Sequence, residues 1–108
     1  FEFIKKFYKE KPLSIISGSD HKELNIICKS LNLSKYFKSI EGSPIKKVDL
    51  ISNFISRNKY INNRILYIGD SLIDLKCSRQ NNIKFFGYNN HDLISGSDFY
   101  INKFNSLI

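Results

Sequence analysis

Arg64-Ile65-Leu66-Tyr67-Ile68-Gly69-Asp70-Ser71 is the stretch on which the reading of this chain turns. Its apolar residues run on without alternation and are rich in strand formers. That is the pattern of a strand buried on both faces, as in a parallel sheet covered by helices. Gly69 breaks the run, and a helical pattern follows from Ser71 to about Asn81. A strand leading through a tight turn into a helix is the unit from which βαβ folds are built.

The same alternation extends in both directions. Upstream, Ile45, Val48, Ile51 and Ile55 recur every three or four residues with Phe54 beside them, which predicts a helix ending near Asn58. Gly42-Ser43-Pro44 precedes it, with Ser43 expected to cap and Pro44 to take the first helical position. A short strand is expected at Ser39–Glu41. Before that, Leu24, Ile26, Ile27, Leu31 and Leu33 support a helix opening near Ser19 or Asp20, with capping-box spacing from Asp20 to Glu23. Leu13–Ile16 reads as a strand ending at Ser17-Gly18-Ser19-Asp20. Ahead of Pro12, Phe3, Ile4, Phe7 and Tyr8 lie at helical spacing over residues 2–10. Downstream, a strand is expected from Ile83 to Tyr88, then a polar loop, a weak strand at Phe99–Ile101 and a terminal turn carrying Phe104 and Leu107. The expected fold is a three-layer α/β, Rossmann-like domain over residues 1–108, with a parallel sheet and no second domain.

Composition narrows the function classes. The chain has 108 residues, 42% of them hydrophobic, which suits one domain with a core. No apolar run approaches the roughly 20 residues of a membrane span. The opening FEFIKKFYKEK alternates charge with aromatics, unlike a signal peptide, so a cytoplasmic location is expected. The net charge of +7 raises the question of nucleic acid. However, Lys5, Lys6, Lys9, Lys22, Lys29, Lys59 and Lys84 are scattered over polar faces and loop ends, so no nucleic-acid partner is expected and a basic nucleic-acid-binding domain is the last-ranked alternative. Cys28 and Cys77 lack metal or redox spacing and are expected to be buried thiols. His21 and His91 are expected to be exposed and polar.

In an open parallel sheet, ligands bind beyond the carboxyl ends of the strands, where helix N-termini present free N–H groups. Ser17-Gly18-Ser19 and Gly69-Asp70-Ser71 both fall there. A hydroxyl beside exposed amides can hold a phosphate oxygen, and Asp70 with Asp74 can hold a hard cation. Lys47, near the start of its helix, can offset phosphate charge. Each feature also has an ordinary use. Ser71 and Asp74 have capping-box spacing, Ser17–Ser19 can be a plain turn, and Lys47 can lie on a solvated face.

Taken together, ISGSDHKELNIICKSLNLSKYFKSIEGSPIKKVDLI (residues 16–51) and ILYIGDSLIDLKCSRQNNIKFFGY (residues 65–88) resemble motifs II, III and IV of the haloacid-dehalogenase-like (HAD) hydrolase superfamily, in order, with a phosphoglycolate-phosphatase-like character. The resemblance implies that Ser17 and Gly18 contact phosphate and that Lys47 is the motif III lysine, with Lys46 as the fallback. It also implies that Asp70 ligates magnesium while Asp74 supports it. The implied reaction is magnesium-dependent hydrolysis of a small phosphorylated metabolite through an aspartyl-phosphate intermediate.

The sequence departs from the family at motif I, a DxDx[TV] pattern whose first aspartate is the nucleophile, because no DxD occurs in the chain. The motif I strand, which is central in the family's sheet, and any cap are expected upstream. The chain alone is expected to be inactive, since the covalent route is gone. A non-catalytic binding or regulatory module is the alternative. Without the central strand, Leu13–Ile16 and Ile65–Ile68 are expected either to pair directly or to recruit a second chain, making a homo-oligomer through exposed sheet edges.

Overall fold

Pro12 cannot extend a helix, because its ring blocks the preceding turn and it lacks an N–H. The first helix, α1 (Glu2–Phe7), nevertheless ends well before Pro12 and short of the expected residues 2–10, passing through a turn at residues 8–10 to the first strand, β1 (Ser14–Asp20). This computed structural model describes residues 2–102; the Phe3 side chain and the expected turn at Phe104 and Leu107 lie outside what it describes. The elements then run α2 (His21–Ser30), β2 (Ser39–Ser43), α3 (Lys47–Asn58), β3 (Leu66–Gly69), α4 (Leu72–Gln80), β4 (Lys84–Tyr88) and β5 (Phe99–Ile101), with 3-10 turns at Ser34–Tyr36, Asn62–Arg64 and His91–Leu93.

Caps set several boundaries. Asp20 accepts the Glu23 N–H at 3.1 Å and opens α2, and Ser71 accepts the Asp74 N–H at 3.1 Å and opens α4. The start of α3 differs from expectation. Ser43 stays in β2 because it pairs with Asp20, so Pro44 and Ile45 form a turn and the helix begins at Lys47. Ile45, expected on the apolar stripe, is therefore left exposed. β1 also runs further than expected. Its register with β2 shifts between Ile16 and Asp20, so Ser17–Ser19 bulge from an otherwise continuous ladder.

All strand pairs are parallel, but they form two sheets, β1-β2 and β3-β4-β5. Leu13–Ile16 and Ile65–Ile68 do not pair, so direct closure does not occur. The helical layer explains the spacing. α3 packs on β1 and β2, α4 packs on β3 and β4, and the two helices pack on each other. Ile16 and Ser17 of β1 and Tyr67, Ile68 and Gly69 of β3 line one cleft with no ladder between the two strands, which leaves a gap between the sheets. Right-handed crossovers running outward from this gap in opposite directions put α2 on one face and α4, with α3, on the other. The result is the expected three-layer α/β arrangement around a divided sheet.

The core lies where α3, α4 and both sheets meet. Ile51, Cys77 and Ile83 are buried there, joined by Ile16 from β1, Ile65 and Tyr67 at β3, and Val48 and Ile55 from α3. Phe85 and Leu93 are fully enclosed. Cys28 and Cys77 are buried free thiols. In contrast, Leu66, expected to be buried on both faces, is 45% exposed. β3 has a neighbour on one side only, so its surroundings are incomplete. The Asp98 carboxylate takes the Phe85 N–H at 2.8 Å and Arg79 Nη1 at 2.9 Å, tying β4, α4 and the approach to β5 together. No helix among the described residues is long and apolar enough to cross a membrane.

In a parallel ladder each strand directs alternate amides to each side, so half of those in β1 and β3 face the gap without a partner strand. Hydrogen exchange should therefore be slowest in β4, which is paired on both sides, and fast at the gap-facing amides of β1 and β3. Uniform protection along β1 and β3 would show that the gap is closed in solution.

Candidate active site

The carboxyl ends of β1 and β3 open onto one cleft of about 290 Å3, lined by Ser17, Lys47, Tyr67, Asp70, Asp74 and Tyr88 among others. Each polar group arrives there for a local reason. The bulge after Ile16 releases Ser17 from the ladder, and its Oγ accepts the Ser19 N–H at 3.1 Å, leaving the hydroxyl proton to donate. Gly18 is exposed beside the cleft, where an added Cβ would sit 3.7 Å from Lys47 Cε. Lys47 is the first residue of α3, so its stem leaves the helix start toward the cleft, whereas Lys46 caps the helix and is exposed outside the lining.

Asp70 follows β3 directly and is exposed at the mouth, with its carbonyl accepting Asn90 Nδ2 at 3.0 Å. Among the described residues its carboxylate has no ion-pair partner. Asp74 behaves differently. It is buried on the first turn of α4, and a single oxygen, Oδ1, accepts Lys47 Nζ at 2.9 Å and the Tyr67 hydroxyl at 2.8 Å. Burial alone would raise its pKa, but the donors Lys47, Tyr67 and Ser71 outweigh it and hold the carboxyl below its ordinary value of 3.8. Burial, reinforced by the Asp74 charge, pushes the Tyr67 hydroxyl well above the usual tyrosine range, so it stays a donor.

The structure thus brings Ser17, Lys47, Asp70 and Asp74 to one cleft, with Gly18 at its edge. Reading the sequence missed Tyr67 and Tyr88. The available signal for Tyr67 was a polar-tipped ring within an otherwise aliphatic strand run. His21 opens α2 as expected, but its Nδ1 accepts the Gly42 N–H at 3.2 Å and so joins α2 to β2. For a cation the donor chemistry fits in a limited way. No group of three or more acidic, histidine or cysteine side chains comes together among the described residues. A magnesium ion would be held chiefly by Asp70 and would complete its oxygen shell with water and ligand oxygens, as this ion commonly does.

Two outcomes follow from Asp74. Its depressed pKa adds stability above the unfolded carboxyl value, and that stability is lost as pH falls through the lower folded value. In urea unfolding, Asp74→Asn should cost about 1–3 kcal/mol at pH 7, and its difference from the unmodified chain should shrink as pH falls below the ordinary carboxyl range. A gap between the two curves that is the same at pH 7 and pH 3 would contradict this account. Gly69 meets Asp74 closely, since a Cβ there would lie 2.7 Å from Asp74 Cβ and 2.8 Å from Oδ2. Gly69→Ala should therefore disturb the carboxylate and destabilise the chain by about 1–3 kcal/mol, read in the same unfolding experiment.

Comparison with known proteins agrees with the fold. No curated protein matches the sequence. A haloacid dehalogenase-like family hydrolase from Streptococcus pneumoniae superposes with a TM-score of 0.90 at 20% identity, covering 98% of this chain and 55% of its own. A candidate phosphoglycolate phosphatase from Lactobacillus delbrueckii subsp. bulgaricus gives 0.85 at 18% identity, covering 98% and 49%. The HAD-hydrolase YfnB from Bacillus subtilis, described as bound to magnesium, gives 0.83 at 20% identity, covering 99% and 51%. The chain therefore spans about half the length of the solved structures it matches. The sequence profile of the haloacid dehalogenase-like hydrolases matches residues 2–88, and the chain belongs to that family.

Proposed function

We propose that this chain forms the phosphate-holding and metal-holding part of a cytoplasmic, magnesium-dependent phosphatase. The complete protein would hydrolyse a small phosphorylated metabolite through an aspartyl-phosphate intermediate. The observation that carries this reading is the meeting of the Lys47 ammonium, the Ser17 hydroxyl and the Asp70 carboxylate in one cleft at the carboxyl ends of β1 and β3. Lys47 would offset phosphoryl charge, while Ser17 would donate its hydroxyl proton to a phosphate oxygen and orient the group. Bound magnesium would neutralise further charge and align the phosphate. Two free cysteines fit a reducing compartment.

The nucleophilic aspartate would come from sequence outside residues 1–108, on a strand filling the gap between β1 and β3. This would explain a site with phosphate-binding groups and no DxD. Phosphate monoesters are among the slowest of substrates to hydrolyse unaided, so the 108 residues alone would be inactive. With the gap unfilled, the same edges would favour self-association. The absence of DxD also supports a second reading, in which the chain is a non-catalytic module that binds phosphate and magnesium.

The decisive experiment compares hydrolysis of a generic phosphate monoester with magnesium by three proteins: the chain preceded by its natural upstream sequence, the 108 residues alone, and the longer form carrying Asp70→Asn. Turnover by the longer form alone is the expected result, with Asp70→Asn lowering it at least about a hundredfold. No turnover by any of the three would favour the non-catalytic module.

A further inference from the structure

We propose that Tyr67 is a positioning residue for Lys47 and acts through Asp74: its hydroxyl donates to Asp74 Oδ1 at 2.8 Å, and the same oxygen receives the Lys47 ammonium at 2.9 Å. The inference deepens the phosphate-binding reading of the cleft and rests on it for its functional meaning. The need for such a residue comes from the position of Asp74. It is the third residue of α4, where an acidic side chain ordinarily reaches back to the N-cap backbone N–H and completes a capping box. Ser71 makes its half of that box by accepting the Asp74 N–H, and Ser71 also helps to hold the Asp74 carboxylate, yet Oδ1 takes its two strong donors from outside α4. That oxygen is turned across to Tyr67 on β3 and Lys47 on α3.

Tyr67 is placed to hold it there. Its ring meets the fully buried ring of Phe85 edge-on, with centroids 5.9 Å apart, so core packing fixes where the hydroxyl points. An ammonium has three protons in a fixed fan. With one directed at a carboxylate that cannot swing, the other two take defined directions at the cleft, where an anion would find them without reorganisation. Without the Tyr67 hydroxyl, Asp74 Oδ1 keeps a single side-chain donor and is free to turn, and Lys47 loses a fixed partner.

The test uses the 15N-labelled chain, with the Lys47 ammonium resonance assigned through Lys47→Arg and its proton exchange with water measured. Exchange at Lys47 should be clearly slower than at the exposed Lys46. Tyr67→Phe keeps the ring and should speed Lys47 exchange about tenfold, and it should weaken inorganic phosphate binding in the presence of magnesium by a similar factor. Tyr67→p-aminophenylalanine restores a donor at the same point and should return both values toward the original. A merely structural tyrosine would not separate these two variants, because both keep the ring against Phe85. The proposal is overturned if Lys47 exchanges as fast as Lys46 in the unmodified chain, if Tyr67→Phe leaves its exchange unchanged, or if the amino variant is as fast as the phenylalanine one. If the unmodified chain binds no phosphate, the phosphate-binding reading fails, while the exchange rates still decide the positioning role.

Discussion

The packing of α3, which lies on β1 and β2, against α4, which lies on β3 and β4, is the constraint on which the rest of this structure depends. β1 and β3 share no hydrogen-bond ladder, so backbone pairing does not join the halves. Side-chain burial does. Ile51 and Ile55 on α3, Ile16 on β1, Ile65 and Tyr67 at β3, and Cys77 on α4 belong to one cluster. Burying side chains of this kind is worth about 1.5–3 kcal/mol each before entropy is counted, which makes a small cluster sufficient to hold two sheets in register.

The same helix joins stability to the site. Its first residue is Lys47, and its body crosses the junction of the sheets, so the position of the lysine over the cleft is set by the core packing behind it. Lys47 then reaches α4 at Asp74, which links the two helices at the end where a ligand would bind. The side chain proposed to offset phosphate charge is thus also part of the fastening between α3 and α4.

Much of the fold was legible because it rests on local chemistry. Ser71 and Asp74 announce the start of α4 by spacing, Pro12 separates α1 from β1, and the run to Tyr88 gives β4 within one residue. What was not legible depends on partners distant in sequence. Pro44 looked like a helix start, but the pairing of Ser43 with Asp20 keeps it outside. Leu66 sits in a run that reads as doubly buried, yet burial is a property of neighbours, and one neighbour of β3 is absent. In the site, the order serine, lysine, acidic pair was readable, and the structure gathers these residues at one edge. That Asp74 spends an oxygen on Lys47 and Tyr67 was not, because spacing cannot tell a carboxylate facing a cation from one facing a side chain on another helix.

The divided sheet also bears on how the chain comes apart. β1-α2-β2 and β3-α4-β4 each close on themselves through short connections, so each half can form before the two meet. The contacts between them are fewer and are concentrated on α3. With fewer contacts to break, that seam is the expected place of first opening, with α3 as the common wall of the two halves. The first excursion from the native state is therefore a parting of the cleft, in which Lys47 and Asp74 separate while both ladders stay intact.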